Sequence, residues 1–416
     1  MATESRRASA GMSAAPDRMP RATRTLARRL AAALLLALLA CALPALAAPR
    51  IGVATMQPGE IFFERFGHNA IVVDDPAAGP PLSYNFGFFD PGEPDFVARF
   101  ARGDMRYRLV VLPLADDLAY YRDVGRGVSI QWLDLDAAQA AGLSARLARN
   151  ARPENAEYSY DYFTDNCSTR VRDAIDEGLG GALRRHMQGR SQGNTYRSEA
   201  VRLARPAAWM ALGFDLGLGP AADRPNALWD DAFVPMRLAT ALRDVRHADG
   251  RPLVASEEAL LPHRIGPEPE PRQVAWIPWL VAGLALAALA WSQRGHPRAV
   301  AWAAMATWLA CALVGALMLY IWLGTAHRFG WANHNLLLFN PLCLLLLPGA
   351  WRVARGGEGG TAFRIVSGIV AALVLLSPFL LWMPLQSQRN GHWIALMLPL
   401  HLALLAVLRR PRREGA

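Results

Sequence analysis

The hydrophobic pattern divides the chain at about residue 272. Beyond it, apolar runs at 274–291, 300–323, 336–351, 365–383 and 393–408 are separated by short polar loops, and most approach the ~20 residues that cross a bilayer core. Five crossings are predicted, the third and fifth short enough to be tilted, kinked at Pro341 or partly re-entrant. Before the boundary, charged, aromatic and turn-forming residues intermix. Runs at 70–73, 82–89, 106–112 and 128–133 predict strands, and residues 136–149 predict a helix opening at Asp136. The fold class is therefore α+β, a small antiparallel sheet with segregated helices, followed by an all-α transmembrane bundle. Alternating Pro and Glu at 267–271 predict an extended, semi-rigid spacer between the two.

A further apolar run, 30–43, follows Arg21, Arg24, Arg28 and Arg29 and ends at the small-residue site Ala45-Leu46-Ala47. This is the pattern of an export signal, with cleavage expected after Ala47. Retention as an anchor, or processing at Cys41 after Leu38-Leu39-Ala40, are the alternatives. The predicted organisation is a basic cytoplasmic n-region (1–29), signal or anchor (30–47), periplasmic catalytic domain (48–245), Pro-rich linker (246–272), membrane domain (273–410) and basic cytoplasmic tail (411–416).

Charge placement orients this arrangement. The loops 292–299 and 352–364 and the tail carry nine arginines, whereas the two intervening loops carry only Arg328 and Arg389. By the positive-inside rule the Arg-rich set is cytoplasmic, so the chain enters its first membrane helix from outside, as an exported domain requires. The net charge of +9 is spread over the n-region, cytoplasmic loops and tail instead of one face, which argues against a nucleic-acid partner.

Of the four cysteines, Cys41 lies in the signal, Cys311 and Cys343 in apolar segments, and Cys167 alone in the exported domain. A lone thiol in an oxidising compartment points to chemistry. Cys167 sits in Asp165-Asn166-Cys167-Ser168-Thr169-Arg170, ahead of apolar positions Val171, Ala174 and Ile175 at helical spacing. Asp165 or Asn166 is the natural N-cap, so Cys167 falls in the first turn, where the helix dipole favours thiolate and backbone N–H groups face an oxyanion. The candidate base is His68, in Phe66-Gly67-His68-Asn69-Ala70 at the entrance to a strand; His186, His247 and His263 are rivals in less ordered surroundings. Asn85, in Ser83-Tyr84-Asn85-Phe86-Gly87 on the next strand, is the candidate to orient the imidazole, or is a polar strand residue without a role. Arg170 and Arg172 read equally as phosphate attractors or as helix-surface ion pairs. In the outward loops, Asn333, His334, Asn335 and Asn390 read as interfacial anchors or as headgroup ligands.

The order of a His on an early strand, a polar residue on the next, and Asn-Cys opening a helix resembles the circularly permuted NlpC-type papain-like fold of lecithin:retinol acyltransferase-like enzymes. Phe-Gly-His-Asn-Ala, Tyr-Asn-Phe-Gly-Phe-Phe, Asp-Tyr-Phe-Thr-Asp-Asn-Cys-Ser-Thr-Arg and a C-terminal five-helix module together resemble the Lnb-type bacterial lipoprotein N-acyltransferase family over most of residues 50–408. The resemblance implies an inner-membrane enzyme that moves an acyl chain from a phospholipid donor to the α-amine of a diacylated lipoprotein, with Cys167, His68 and Asn85 as its site. Neither a Walker loop nor a dinucleotide fingerprint appears, so no cofactor and no metal are expected. A periplasmic cysteine hydrolase acting on peptidoglycan or lipid esters, and a non-catalytic envelope protein, are the rival readings.

Overall fold

The computed structural model describes residues 32, 48–383 and 387–409. The signal with its Ala47 and Cys41 processing sites, and the tail 411–416, lie outside the described residues.

The exported part is built on a seven-stranded antiparallel sheet of order β6-β4-β3-β2-β1-β5-β7. Its strands are β1 (Arg50–Met56), β2 (His68–Asp74), β3 (Leu82–Phe88), β4 (Arg106–Pro113), β5 (Val128–Leu133), β6 (Glu157–Ser159) and β7 (Val254–Leu261). All four predicted strands are present. β1 is an interior strand, with six of its seven residues buried, and it lacks the alternation that marks a half-exposed strand. β7 is a correction to the expected linker at 246–272: residues 254–261 pair with β5 and close the sheet edge.

Alternation in β1 and β2 sorts side chains between two cores. Ile51, Val53, Ile71 and Val73 face the helices Ala137–Asn150 and Cys167–Gly178, through Leu143, Leu147, Val171 and Ile175. Ala54, Met56, Ala70 and Val72 face the helix Leu114–Asp123, through Leu114, Leu118 and Tyr121. The helix Ala137–Asn150 opens at Asp136 as predicted, with a capping box closed by Gln139.

Four helical stretches are long and apolar enough to cross a membrane: Pro297–Gly324, His334–Ala354, Gly360–Trp382 and Gly391–Leu408. The first of the five predicted crossings is a 16-residue helix, Ile277–Ser292, whose Trp279 ring lies 4.9 Å from that of Trp393 in the last helix. Exposed Leu309, Leu313, Leu317, Ile365 and Ile369 form the apolar outside that a bilayer requires, around a core that holds Trp308, Cys311, Cys343 and Phe363.

The two outward loops dock onto the exported domain. Phe329 enters its aromatic core, 4.8 Å from Phe163 and 5.1 Å from Tyr196 between ring centres. Asn333 donates to the carbonyls of Leu216 (2.7 Å) and Leu218 (3.2 Å), and Asn335 to that of Leu216 (3.2 Å). Asn390 in turn donates to Asn335 (2.9 Å). Asn333, Asn335 and Asn390 are thus satisfied by protein, and for them the headgroup and interfacial-anchor readings give way to docking, whereas His334 Nδ1 is buried without a partner among the described residues. Gly219 permits the approach: a Cβ there would lie 2.2 Å from the Trp331 carbonyl oxygen.

Candidate active site

Asn166 is the N-cap of the helix Cys167–Gly178. Its side chain accepts from the Thr169 N–H (2.9 Å) and the Thr169 hydroxyl accepts from the Asn166 N–H (2.8 Å), a reciprocal capping box. Asn166 Nδ2 also donates to the carbonyls of Tyr162 (3.1 Å) and Phe233 (2.8 Å), which anchors the helix start in the domain. Ser168, buried on the inner side, donates to Asn69 Oδ1 (2.8 Å) and the Ala232 carbonyl (2.6 Å). Asn69 donates in turn to Thr55 Oγ1 (2.9 Å), so the pair ties the helix start to β2 and β1. Cys167 and His68, the sequence neighbours of Ser168 and Asn69, are thereby brought together.

His68 opens β2 and remains partly exposed, as does Cys167. The register Ile71↔Tyr84 continues to place His68 and Asn85 on one sheet face as diagonal neighbours. His68 Nε2 lies 3.0 Å from Asn85 Oδ1. The other side of the Asn85 amide is fixed: Nδ2 donates to Ser83 Oγ (3.0 Å) and to Asp117 Oδ2 (3.0 Å), and Ser83 donates to the same Asp117 oxygen (2.7 Å). A carboxylate accepts only, so Asn85 must offer its oxygen to His68 and Nε2 must carry the proton. Nδ1 is then the ring nitrogen that meets the thiol.

Burial opposes both charges at this pair, raising the thiol and lowering the imidazole. Burial is the largest single effect on each, but the opposing effects together outweigh it. His68, by charge and hydrogen bond, and the backbone N–H groups of Asn69 and Ser168 hold Cys167 below the ordinary thiol range. The Cys167 charge and hydrogen bond, Asn85 and Asp117 hold His68 above the ordinary imidazole range. Both shifts run toward a thiolate paired with an imidazolium, the charge state that suits a nucleophile beside an acid.

Beside Cys167 the missing side chain of Gly87 leaves the space of one Cβ. β3 and β4 lose register between Asn85 and Phe88, and Gly87 adopts φ +92° in that bulge. A Cβ on Gly87 would stand 3.6 Å from the Cys167 Cβ, 3.4 Å from the Tyr160 ring and 3.7 Å from the Tyr158 hydroxyl. That hydroxyl is buried and, among the described residues, has no hydrogen-bond partner. Burial first, then the Cys167 charge, push its pKa well above the ordinary tyrosine value, so it stays protonated and a donor.

The rival histidines are elsewhere. His186 lies 2.6 Å from Arg190, His247 3.6 Å from Asp134, and His263 accepts from the Gly127 N–H (3.0 Å). The arginines are likewise engaged: Arg170 pairs with Asp165 and lies 4.1 Å from the Tyr158 ring centre, and Arg172 is buried against Trp229 at 3.9 Å. Both make structural contacts within the exported domain. Asp117, Ser83 and Tyr158 carried no expected role; Ser83 lies in the same strand segment as Asn85, whereas sheet register and helix packing bring Asp117 and Tyr158 to the site.

Two family models match the chain: the Lnb N-terminal periplasmic domain over residues 46–198 and the Lnb transmembrane domain over residues 268–410. The first match contains His68, Asn85 and Cys167; the second contains the outward loops that dock onto the exported part. No curated protein and no solved structure matches the chain.

Proposed function

The chain belongs to the Lnb family, a membrane protein with a periplasmic N-terminal domain, and from that premise we propose that it is a thiol-dependent acyltransferase of the bacterial inner membrane. The donor is phospholipid and the acceptor the α-amine of a diacylglyceryl-cysteine lipoprotein. The exported domain takes the permuted papain-like arrangement, and Ile277–Ser292 supplies the fifth crossing of the membrane module. The observation that carries the reading is the Cys167–His68–Asn85 alignment at a helix N-terminus, in a domain docked directly on membrane helices.

The Cys167 thiolate attacks the ester carbonyl of the phospholipid, forming a C–S bond and a tetrahedral oxyanion. The Tyr158 hydroxyl and the N–H groups at the helix start are the donors suited to that charge. Collapse breaks the C–O bond, and the imidazolium of His68 gives its proton to the departing lysophospholipid oxygen. The lipoprotein amine then attacks the thioester, His68 takes its proton, and the C–S bond breaks to release the amide and restore the thiolate. Asn85 and Asp117 hold the ring through both steps.

The same dyad serves water in a hydrolase. Docking of the outward loops beside the site favours an acceptor that arrives in the membrane, and a dry thioester favours transfer. The test is intact-mass analysis of a diacyl lipopeptide in membranes that hold the wild type or Cys167→Ala, with labelled phospholipid as sole donor. A gain of one acyl chain that depends on Cys167 supports the reading. Free fatty acid without acylated peptide would replace it with a lipid hydrolase.

A further inference from the structure

The helix Ala208–Gly217 has apolar residues on nearly every side, and its single ionisable residue is turned to the membrane module: Asp215 accepts from Trp393 Nε1 (2.8 Å) and lies 2.6 Å from His392 Nε2. Its outward face carries Trp209, 68% exposed, and Leu212. A soluble protein would place charge there. An apolar face held at the level where membrane helices begin belongs instead to an interfacial helix.

From Trp209 a row of ring contacts leads inward. Trp209 stacks on Phe62 (6.2 Å), Phe62 meets Phe100 (6.4 Å), Phe100 stacks on Phe96 (6.3 Å), and Phe96 on Phe89 (5.4 Å). Phe89 continues to Tyr107 (4.8 Å), and Tyr107 to Tyr160 (4.4 Å), whose ring borders the space beside Cys167 at Gly87. The outer end of the row is open at Trp209 and Phe62, while Phe100, Phe96 and Phe89 are half-buried; the exposed Ile61, Phe63, Phe88 and Val97 flank it, Val97 at 75%. The row is continuous with the membrane junction, because the Phe100 carbonyl lies 3.0 Å from His327 Nε2 and the Arg102 carbonyl accepts from the Ala326 N–H (2.8 Å).

We propose that this aromatic row is a lipid-binding surface, on which the outer leaflet rests at Trp209 and along which one phospholipid acyl chain extends to the space beside Cys167. The inference rests on the acyl-transfer reading for the purpose of the chain, while the surface itself rests on the exposed rings and their continuity with the membrane helices. Aromatic side chains suit both ends of the row: large apolar area for a hydrocarbon chain, and rings that settle at the headgroup boundary. The segment that carries Phe62 and Phe63 leads into His68 at the start of β2.

The test uses full-length Cys167→Ala protein in vesicles of phosphatidylethanolamine and phosphatidylglycerol, doped with phosphatidylethanolamine that carries a diazirine in one acyl chain. After photolysis, adducts are expected within residues 61–63, 96–100 and 209–212. Adducts confined to the membrane helices overturn the proposal, as does labelling of the row by a photoreactive diacyl lipopeptide but not by the phospholipid. In a Phe62→Ser, Trp209→Ser double variant, altered at two exposed positions, the apparent KM for a long-chain donor should rise about tenfold, and less for a short-chain donor. A loss independent of chain length overturns the proposal. Adducts on the row, together with a wild-type protein that fails to acylate lipopeptide in the same vesicles, sustain the surface and sink the acyl-transfer reading alone.

Discussion

Asn85 donates to the buried carboxylate of Asp117 across 3.0 Å, and this contact decides which end of the Asn85 amide faces His68. Reversing the amide would set its oxygen against a carboxylate and its NH₂ against a protonated ring nitrogen, two repulsive contacts at once. The tautomer of the base is thus determined by a residue that touches neither thiol nor substrate.

Asn85→Leu should therefore lower kcat for acyl transfer by about 10²-fold, the scale of a misplaced general base, with a smaller change in KM. Asp117→Leu frees the amide to turn and should follow the same direction, whereas Asp117→Asn keeps an acceptor oxygen and should retain most activity. Steady-state kinetics on folded protein check this; equal losses for both Asp117 variants would remove Asp117 from the relay.

The acylation half-reaction, followed by lysophospholipid release, should show a bell-shaped pH profile. Activity needs thiolate and imidazolium together. It should rise through a titration below 9.0, the ordinary thiol value, and fall through one above 6.5, the ordinary imidazole value. Both limbs belong to the pair. Because the Asn85 hydrogen bond raises His68, Asn85→Ala should move the basic limb to lower pH. A basic limb that stays in place in this variant would contradict the arrangement.

Tyr158→Phe separates catalysis from stability. The hydroxyl is buried without a partner, so its removal breaks no hydrogen bond in the resting protein, and the melting temperature should stay level or rise. If it donates to the oxyanion, kcat should fall by about 10²-fold. Unchanged kcat would leave the backbone N–H groups as the only donors.

Gly219→Ala should loosen the two halves. The added Cβ would meet the Trp331 carbonyl at 2.2 Å, which forces apart backbones that nothing flexible can relieve. The cost should be about 1–3 kcal/mol, read as a lower melting temperature in micelles. Faster proteolysis between residues 262 and 276 should accompany it. A variant as stable and protected as the wild type would show that the loop contact is not tight.

Sequence alone determined much of this protein. Membrane helices announce themselves because every position that meets lipid must be apolar, and the arginines around them orient the bundle. The cap and the helix start were legible in Asn166-Cys167-Ser168-Thr169, with Cys167 as a candidate nucleophile, because capping is local chemistry over four residues. His68 and Asn85 were legible as candidates, since strand edges and turn residues bracket them. Tertiary structure alone decided the rest. β1 was hidden because an interior strand buried on both faces shows no alternation, and β7 because it pairs with β5 across more than a hundred residues. Asp117 and Tyr158 reach the site only through register and helix packing, which no local pattern encodes. The polar loops 327–335 and 387–392 illustrate the same limit. Their amides carry hydrogen-bonding capacity in any environment, and whether lipid, water or the carbonyls of Leu216 and Leu218 satisfy it depends on which surface folding sets against them.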